Sequence, residues 1–104
     1  MPTPQVPDFD YVAHHVSVDR AHRILKLWGD ITTESTLAAA DTLINFTKGP
    51  KGTRPITMWV NSPGGDLYSA LGLIDVMRMI KAKITTVGLG VVGSAALMIY
   101  MNGN

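Results

Sequence analysis

The apolar run Ile56 to Val60 is cut short by Asn61-Ser62-Pro63-Gly64-Gly65, and beyond the glycines the apolar residues change their period. Leu67, Ala70, Leu71, Ile74 and Met77 recur at helical spacing, with Lys81 and Lys83 near the end of that stretch. A short buried strand stopped by glycines and followed by a helix is the repeating unit of a parallel sheet, because parallel neighbours need a crossover between them. The same order occurs on either side. Arg23 to Trp28 alternates as a strand does, Gly29-Asp30 ends it, and Thr33 to Thr47 is predicted helical, with Leu37, Ala40 and Ile44 on one face and Leu43 beside them. Glu34 in the first turn complements the helix dipole, and Gly49-Pro50-Lys51-Gly52 reads as a loop. Ile84 to Leu89 is expected as a third strand and Ser94 to Met101 as a short buried helix. The class is therefore α/β, a mainly parallel sheet with packed helices. Residues 1–22, with Pro2, Pro4 and Pro7 and little periodicity, are expected as an arm, and residues 23–104 as the folded domain.

The totals narrow the functions open to such a chain. Of 104 residues, 46% are hydrophobic and 16% charged, a globular and apolar composition. A net charge of +1, with nine scattered Lys and Arg residues, supplies no field to draw nucleic acid or an anionic membrane. Without cysteine there is neither a disulfide framework nor a thiolate zinc site, which is compatible with a cytoplasmic protein or one of an organelle stroma or matrix. No basic region followed by an apolar core opens the sequence, so no secretory signal is expected. Ile84 to Met101 is eighteen residues without a charge, the minimum for a membrane span. Gly88, Gly90 and Gly93 and the β-branched residues around them instead suit a strand, a turn and a buried helix.

Two places carry chemistry. Ser94 lies at a strand-to-helix junction, in Gly90-Val91-Val92-Gly93-Ser94-Ala95-Ala96. A nucleophilic serine needs an exposed hydroxyl on a tight turn, and a helix starting there offers free N–H groups for a developing oxyanion. Serine is equally a common helix cap, and the local sequence leaves both roles open. The second place is Asn61-Ser62-Pro63-Gly64-Gly65-Asp66, where two glycines let a ligand approach the main chain without meeting a Cβ. It also fits an ordinary loop with Asp66 in the first turn of a helix. No Lys-Ser or Lys-Thr comes after it, so it is no P-loop.

Taken together the two motifs resemble the ClpP family, the proteolytic subunit of the Clp protease, in which an Asn-Ser-Pro-Gly-Gly loop precedes a Gly-x-Ala-Ala-Ser segment bearing the nucleophile. Gly65 and Ser94 stand 29 positions apart, the family spacing without a gap. The strand Arg23-Ile24-Leu25-Lys26-Leu27 and the helix after Gly29-Asp30 also match, so the resemblance runs from about residue 22 to residue 104. Val92 and Gly93 stand where the family usually has two alanines, and Ala95 where methionine is common.

The resemblance implies a ClpP/crotonase-like fold, held here as its N-terminal part, and a serine endopeptidase of unfolded proteins and peptides. In it Ser94 is the nucleophile, the backbone N–H groups of Gly65 and Ala95 form the oxyanion hole, and Leu67 lies along the substrate strand. It further implies stacked homo-oligomeric rings of seven and an Hsp100-type AAA+ ATPase docked at the rim, where Trp59 and Met79 hold cleft positions and Thr57 replaces a usual aromatic. Both residues fit plain core packing as well. Neither metal nor nucleotide belongs to the peptidase itself. The family's catalytic His and Asp lie downstream of the nucleophile; His14, His15 and His22 match no family base, and Asp30, Asp41, Asp66 and Asp75 match no triad acid. The chain alone is therefore expected to be inactive. A non-catalytic ring subunit and another crotonase-superfamily enzyme, either a Ser–Lys peptidase or an acyl-CoA hydratase, remain as alternatives.

Overall fold

A computed structural model describes residues 6–104; Pro2 and Pro4 of the expected arm lie outside the described residues. Three helices lie on a five-stranded sheet whose strands run in sequence order. Strands β3 (Ile24–Trp28), β4 (Ile56–Ser62) and β5 (Ile84–Val92) are parallel neighbours, with Leu25 opposite Met58 and Met58 opposite Thr86. Helix α1 (Thr33–Phe46) crosses from β3 to β4, α2 (Leu67–Met79) from β4 to β5, and α3 (Ala95–Met101) comes after β5. Successive right-handed crossovers between adjacent strands put their helices on one face of the sheet. Leu25, Leu27, Ile56, Met58, Val60 and Ile84 point into that layer and are fully buried or nearly so. Each such side chain contributes about 1.5–3 kcal/mol relative to an exposed one. The expected α/β class is therefore what the chain forms, with β3, β4 and β5 as its parallel part and a sheet that is mixed as a whole. No described helix is long and apolar enough to cross a membrane.

Two features differ from the expectation. Within the stretch expected as an arm, β1 (Tyr11–Ala13) and β2 (Val16–Asp19) form a hairpin that adds to β3 antiparallel. Its two-residue turn is made by His14 and His15, both left-handed at φ 51° and 67°, as a type I′ turn requires. Neither is the Gly, Asn or Asp that usually marks such a turn, so nothing in the sequence announced it. The second difference is the buried face of α1. Leu43 is buried as expected, but its companions are Thr36, Ala39 and Phe46, while Leu37 and Ile44 face outward at 59% and 41% exposure. The small residues Ser35, Thr36 and Ala39 let the helix sit close against the sheet, and the larger apolar stripe is left outside.

The other face of the sheet carries Lys26, Trp28 and Trp59. The segment before β1 crosses it, stacking Phe9 edge-on against Trp59 at 5.7 Å, with the Lys26 ammonium 4.6 Å from the Phe9 ring and 5.2 Å from Trp28.

Candidate active site

All three parallel strands deliver their C-terminal ends to one edge, where ligands of open α/β sheets bind. The turns at this edge are tied to one another chiefly by main-chain hydrogen bonds. Gly29 N–H donates to Asn61 O at 2.8 Å, Ile31 N–H to Gly64 O at 2.9 Å, Asp66 N–H to Ile31 O at 2.9 Å, and Gly93 N–H to Ser62 O at 3.0 Å. The buried Ser62 hydroxyl accepts from Gly64 N–H at 3.1 Å and shapes the turn at Pro63.

The paired glycines are required by this geometry. Gly65 has φ 150°, and a Cβ there would lie 2.1 Å from the Ile31 carbonyl oxygen. Gly64 has φ 118°, and a Cβ there would lie 2.8 Å from Ser94 Cβ and 3.3 Å from its Oγ. The loop of 61–66 and Ser94 therefore touch through Gly64, a residue whose part the motif alone did not single out. Ile31 pairs with Gly65 through the N–H of Asp66 and the carbonyl of Gly64, so the Gly65 N–H turns away from that bridge. Neither it nor the Ala95 N–H has a hydrogen-bond partner among the described residues.

Ser94 stands at the N-cap position of α3 with φ 51° and ψ −125°, and its side chain makes no capping hydrogen bond. Capping, the ordinary role for a serine there, is thus not what this hydroxyl does. A non-glycine residue at positive φ is uncommon, and such strain collects at functional positions. Ala95 and Ala96 are buried beneath the turn while Ser94 is exposed. Of the departures from the family pattern, Val92 packs against the core, and a Cβ at Gly93 would come 3.0 Å from Pro63 O, so glycine fits that turn closely.

The remaining expected site residues are spread out. Leu67 opens α2 beside the glycines and is 47% exposed, after Asp66, which caps the helix by accepting from the Ser69 N–H at 2.9 Å. Trp59 lies on the sheet face crossed by Phe9. Met79, at the end of α2, lines a cleft with Ile44, Val76 and Ile80 that Trp59 does not line.

No histidine is hydrogen-bonded to Ser94. The His14-His15 turn shares the edge but is three strands away, about 14 Å at ordinary strand spacing. His22 holds the Asp19 carboxylate at 2.7 Å, the pairing of a catalytic base with its acid. It does so at the opposite end of the sheet, about 15 Å of strand from Ser62. Burial alone would raise the Asp19 carboxyl; hydrogen bonds from Asp8 N–H, the His22 ring and His22 N–H outweigh it and hold the group below its ordinary value.

This sheet with its three helices is the fold of known ClpP structures. The ClpP protease catalytic domain from Plasmodium falciparum superposes with a TM-score of 0.77 and 27% identity over 82% of this chain and 48% of that one. The ATP-dependent Clp protease proteolytic subunit of Leuconostoc citreum is 31% identical over 81 residues, 78% of this chain and 40% of that protein. Subunit 2 of Treponema denticola is 43% identical over 49 residues, 47% of this chain and 24% of that protein. The Clp protease family model matches residues 12–104, and the chain belongs to that family. It spans less than half the length of these relatives.

Proposed function

We propose that this chain supplies the nucleophile and the oxyanion-binding side of a serine endopeptidase of the Clp type. The observation that carries the reading is Ser94 itself, held at positive φ with an exposed, uncapped hydroxyl against Gly64. In the reaction Ser94 Oγ gives its proton to a base and attacks a peptide carbonyl, and the unpartnered N–H groups of Gly65 and Ala95 receive the oxyanion. Its collapse breaks the C–N bond and releases the protonated amine, leaving an acyl-enzyme that water hydrolyses. The exposed start of α2 at Leu67 borders the path of an extended substrate. A serine hydroxyl needs a base to take its proton, and the histidines of the described residues are all too far away. The base must reach Ser94 from outside them, and residues 1–104 alone do not hydrolyse peptides.

Assembly and partner belong to the same reading. Leu37, Ile44, Leu97, Met98, Tyr100 and Met101 are large apolar side chains left exposed on the helical layer. They suit contacts between copies in rings of seven that enclose unfolded substrate. An Hsp100-type AAA+ ATPase would deliver that substrate, and docking involves Trp59 and Met79. Sedimentation of the full-length protein as a stable monomer at micromolar concentration would end the ring proposal.

The deciding experiment is labelling with a serine-directed phosphonate, read by mass spectrometry, on the full-length protein, on residues 1–104 and on Ser94→Ala. Labelling of Ser94 in the full-length protein alone, with peptide hydrolysis abolished in Ser94→Ala while assembly persists, is the expected result. Labelling within residues 1–104 would mean that one of their own groups activates the serine. No labelling of the assembled full-length protein would establish the second reading, a non-catalytic ring subunit, which the absence of a base beside Ser94 among the described residues favours.

A further inference from the structure

Between β4 and β5 the pairing slips. Val60 is opposite Gly88 and Ser62 is opposite Val92, so β5 advances four residues while β4 advances two. Two extra residues are thus folded into β5 just before Gly93 and Ser94. A bulge of this kind leaves ladder groups without their usual partners and re-aims the residues beyond it. Here the gap is closed by a side chain. The Asn61 Oδ1 accepts from the Val91 N–H at 3.1 Å, while the Asn61 main-chain carbonyl accepts from Gly29 N–H on the opposite side. Gly90 makes room for it: at φ 65°, a Cβ there would lie 2.9 Å from both Oδ1 and Nδ2 of Asn61. Directly past the clamp, Gly93 N–H returns to the ladder on Ser62 O, and the next residue is Ser94.

We propose that Asn61 is a positioning residue for Ser94: its side-chain oxygen fixes the β5 bulge in the form that presents the serine beside Gly64. The proposal rests on Ser94 being the nucleophile. Asn61 makes no hydrogen bond to the Ser94 hydroxyl among the described residues, and it acts through the Val91 N–H. Val91 is 48% exposed, so without the clamp water can satisfy its N–H and the bulge is free to sample other forms. Since reaction rates fall steeply with small displacements of the attacking atom, the effect belongs to the chemical step and not to binding.

The test compares Asn61→Leu, which keeps the size but loses the acceptor, with Asn61→Asp, which keeps the acceptor, both in the full-length protein. Hydrogen exchange of peptides spanning Val91 is read by mass spectrometry, and peptide hydrolysis by kcat and KM. Asn61→Leu should exchange at least about tenfold faster at Val91, and kcat should fall about 10–100-fold with KM within about threefold. Asn61→Asp should restore both to near the parent. Unchanged exchange in Asn61→Leu removes the clamp. Faster exchange with an unchanged kcat removes its role in positioning, and an Asn61→Asp protein as impaired as Asn61→Leu shows that the acceptor is not what matters. If Ser94→Ala retains hydrolysis, it is the nucleophile that has been misassigned, and the exchange comparison still decides whether Asn61 holds the bulge.

Discussion

The two ends of the parallel strands are built in opposite ways. At the end bearing Ser94 the turns are joined by backbone bonds, and the glycines at 64 and 65 bring main chain against main chain. At the other end, charged side chains add to backbone bonds such as that from Ile56 N–H to Lys83 O at 2.8 Å. Arg23, itself at φ 55°, donates to Phe46 O at 2.6 Å, Arg54 O at 2.8 Å and Pro55 O at 3.3 Å, and its guanidinium lies 5.3 Å from the Phe46 ring. It thereby closes the C-terminus of α1 and the loop to β4. Asp19 likewise gathers two N–H groups and the His22 ring. A charged group used as a fastener is consumed by its partners. An edge fastened by backbone keeps spare N–H groups pointing outward, the form in which a site can offer donors without a side chain in the way.

Gly65→Ala should break the first edge outright. The new Cβ meets a backbone oxygen at 2.1 Å, and at φ 150° there is no side chain to yield. A destabilisation of about 3 kcal/mol or more is expected, measured as the shift in urea midpoint. A fully stable Gly65→Ala protein would mean that the Ile31–Gly65 bridge does not hold this edge together.

Arg23→Met sharpens the contrast from the other side. It keeps the apolar stem but leaves several carbonyls to water, for an expected loss of about 1–3 kcal/mol. Because the damage lies at the far end, phosphonate labelling of Ser94 in the full-length protein should be unchanged under conditions where the variant is folded. Impaired labelling there would show that the two edges are coupled and that the division between them is wrong.

The same division explains how much could be read from the sequence. The three strand–helix units were legible because glycines at 29, 64 and 65 punctuate apolar runs whose period changes across them. The face of α1 was not, since Leu37 and Ile44 are more apolar than the Thr36 and Ala39 buried in their place, and the fit against the sheet is decided by the small size of those two residues. The hairpin escaped because histidines make its turn. At the site, Ser94 was singled out, but nothing in a sequence states that its hydroxyl leaves the helix N-terminus uncapped. The role of Gly64 comes from a contact across 30 positions of chain, which spacing alone does not reveal. The signal for Asn61 was present in part, as an amide ahead of the proline with Gly90 in the next strand, but only the bulge connects them.

The smallest effect expected is on acid stability, and it separates the edges by their carboxylates. Asp66 caps α2 at the site edge, where hydrogen bonds from the Ser69 hydroxyl and N–H hold it below its ordinary value of 3.8. Asp19 at the far edge is held below the same value by three hydrogen bonds, against the opposing effect of burial. In both cases the unfolded chain binds a proton more readily than the folded one. The stability each contributes is complete above the unfolded value and is lost as pH falls through the lower folded value. Urea midpoints of the parent, Asp19→Asn and Asp66→Asn should therefore be compared at about pH 6 and about pH 3. The parent should lose stability between them, and Asp19→Asn should flatten that loss most, because its carboxylate is buried and bound by three donors. Asp66→Asn should flatten it less, since Asp66 is exposed and water replaces much of what Ser69 provides. If Asp66→Asn flattened the slope more than Asp19→Asn, acid sensitivity would belong to the site edge, and the far edge would not be the one that relies on charge.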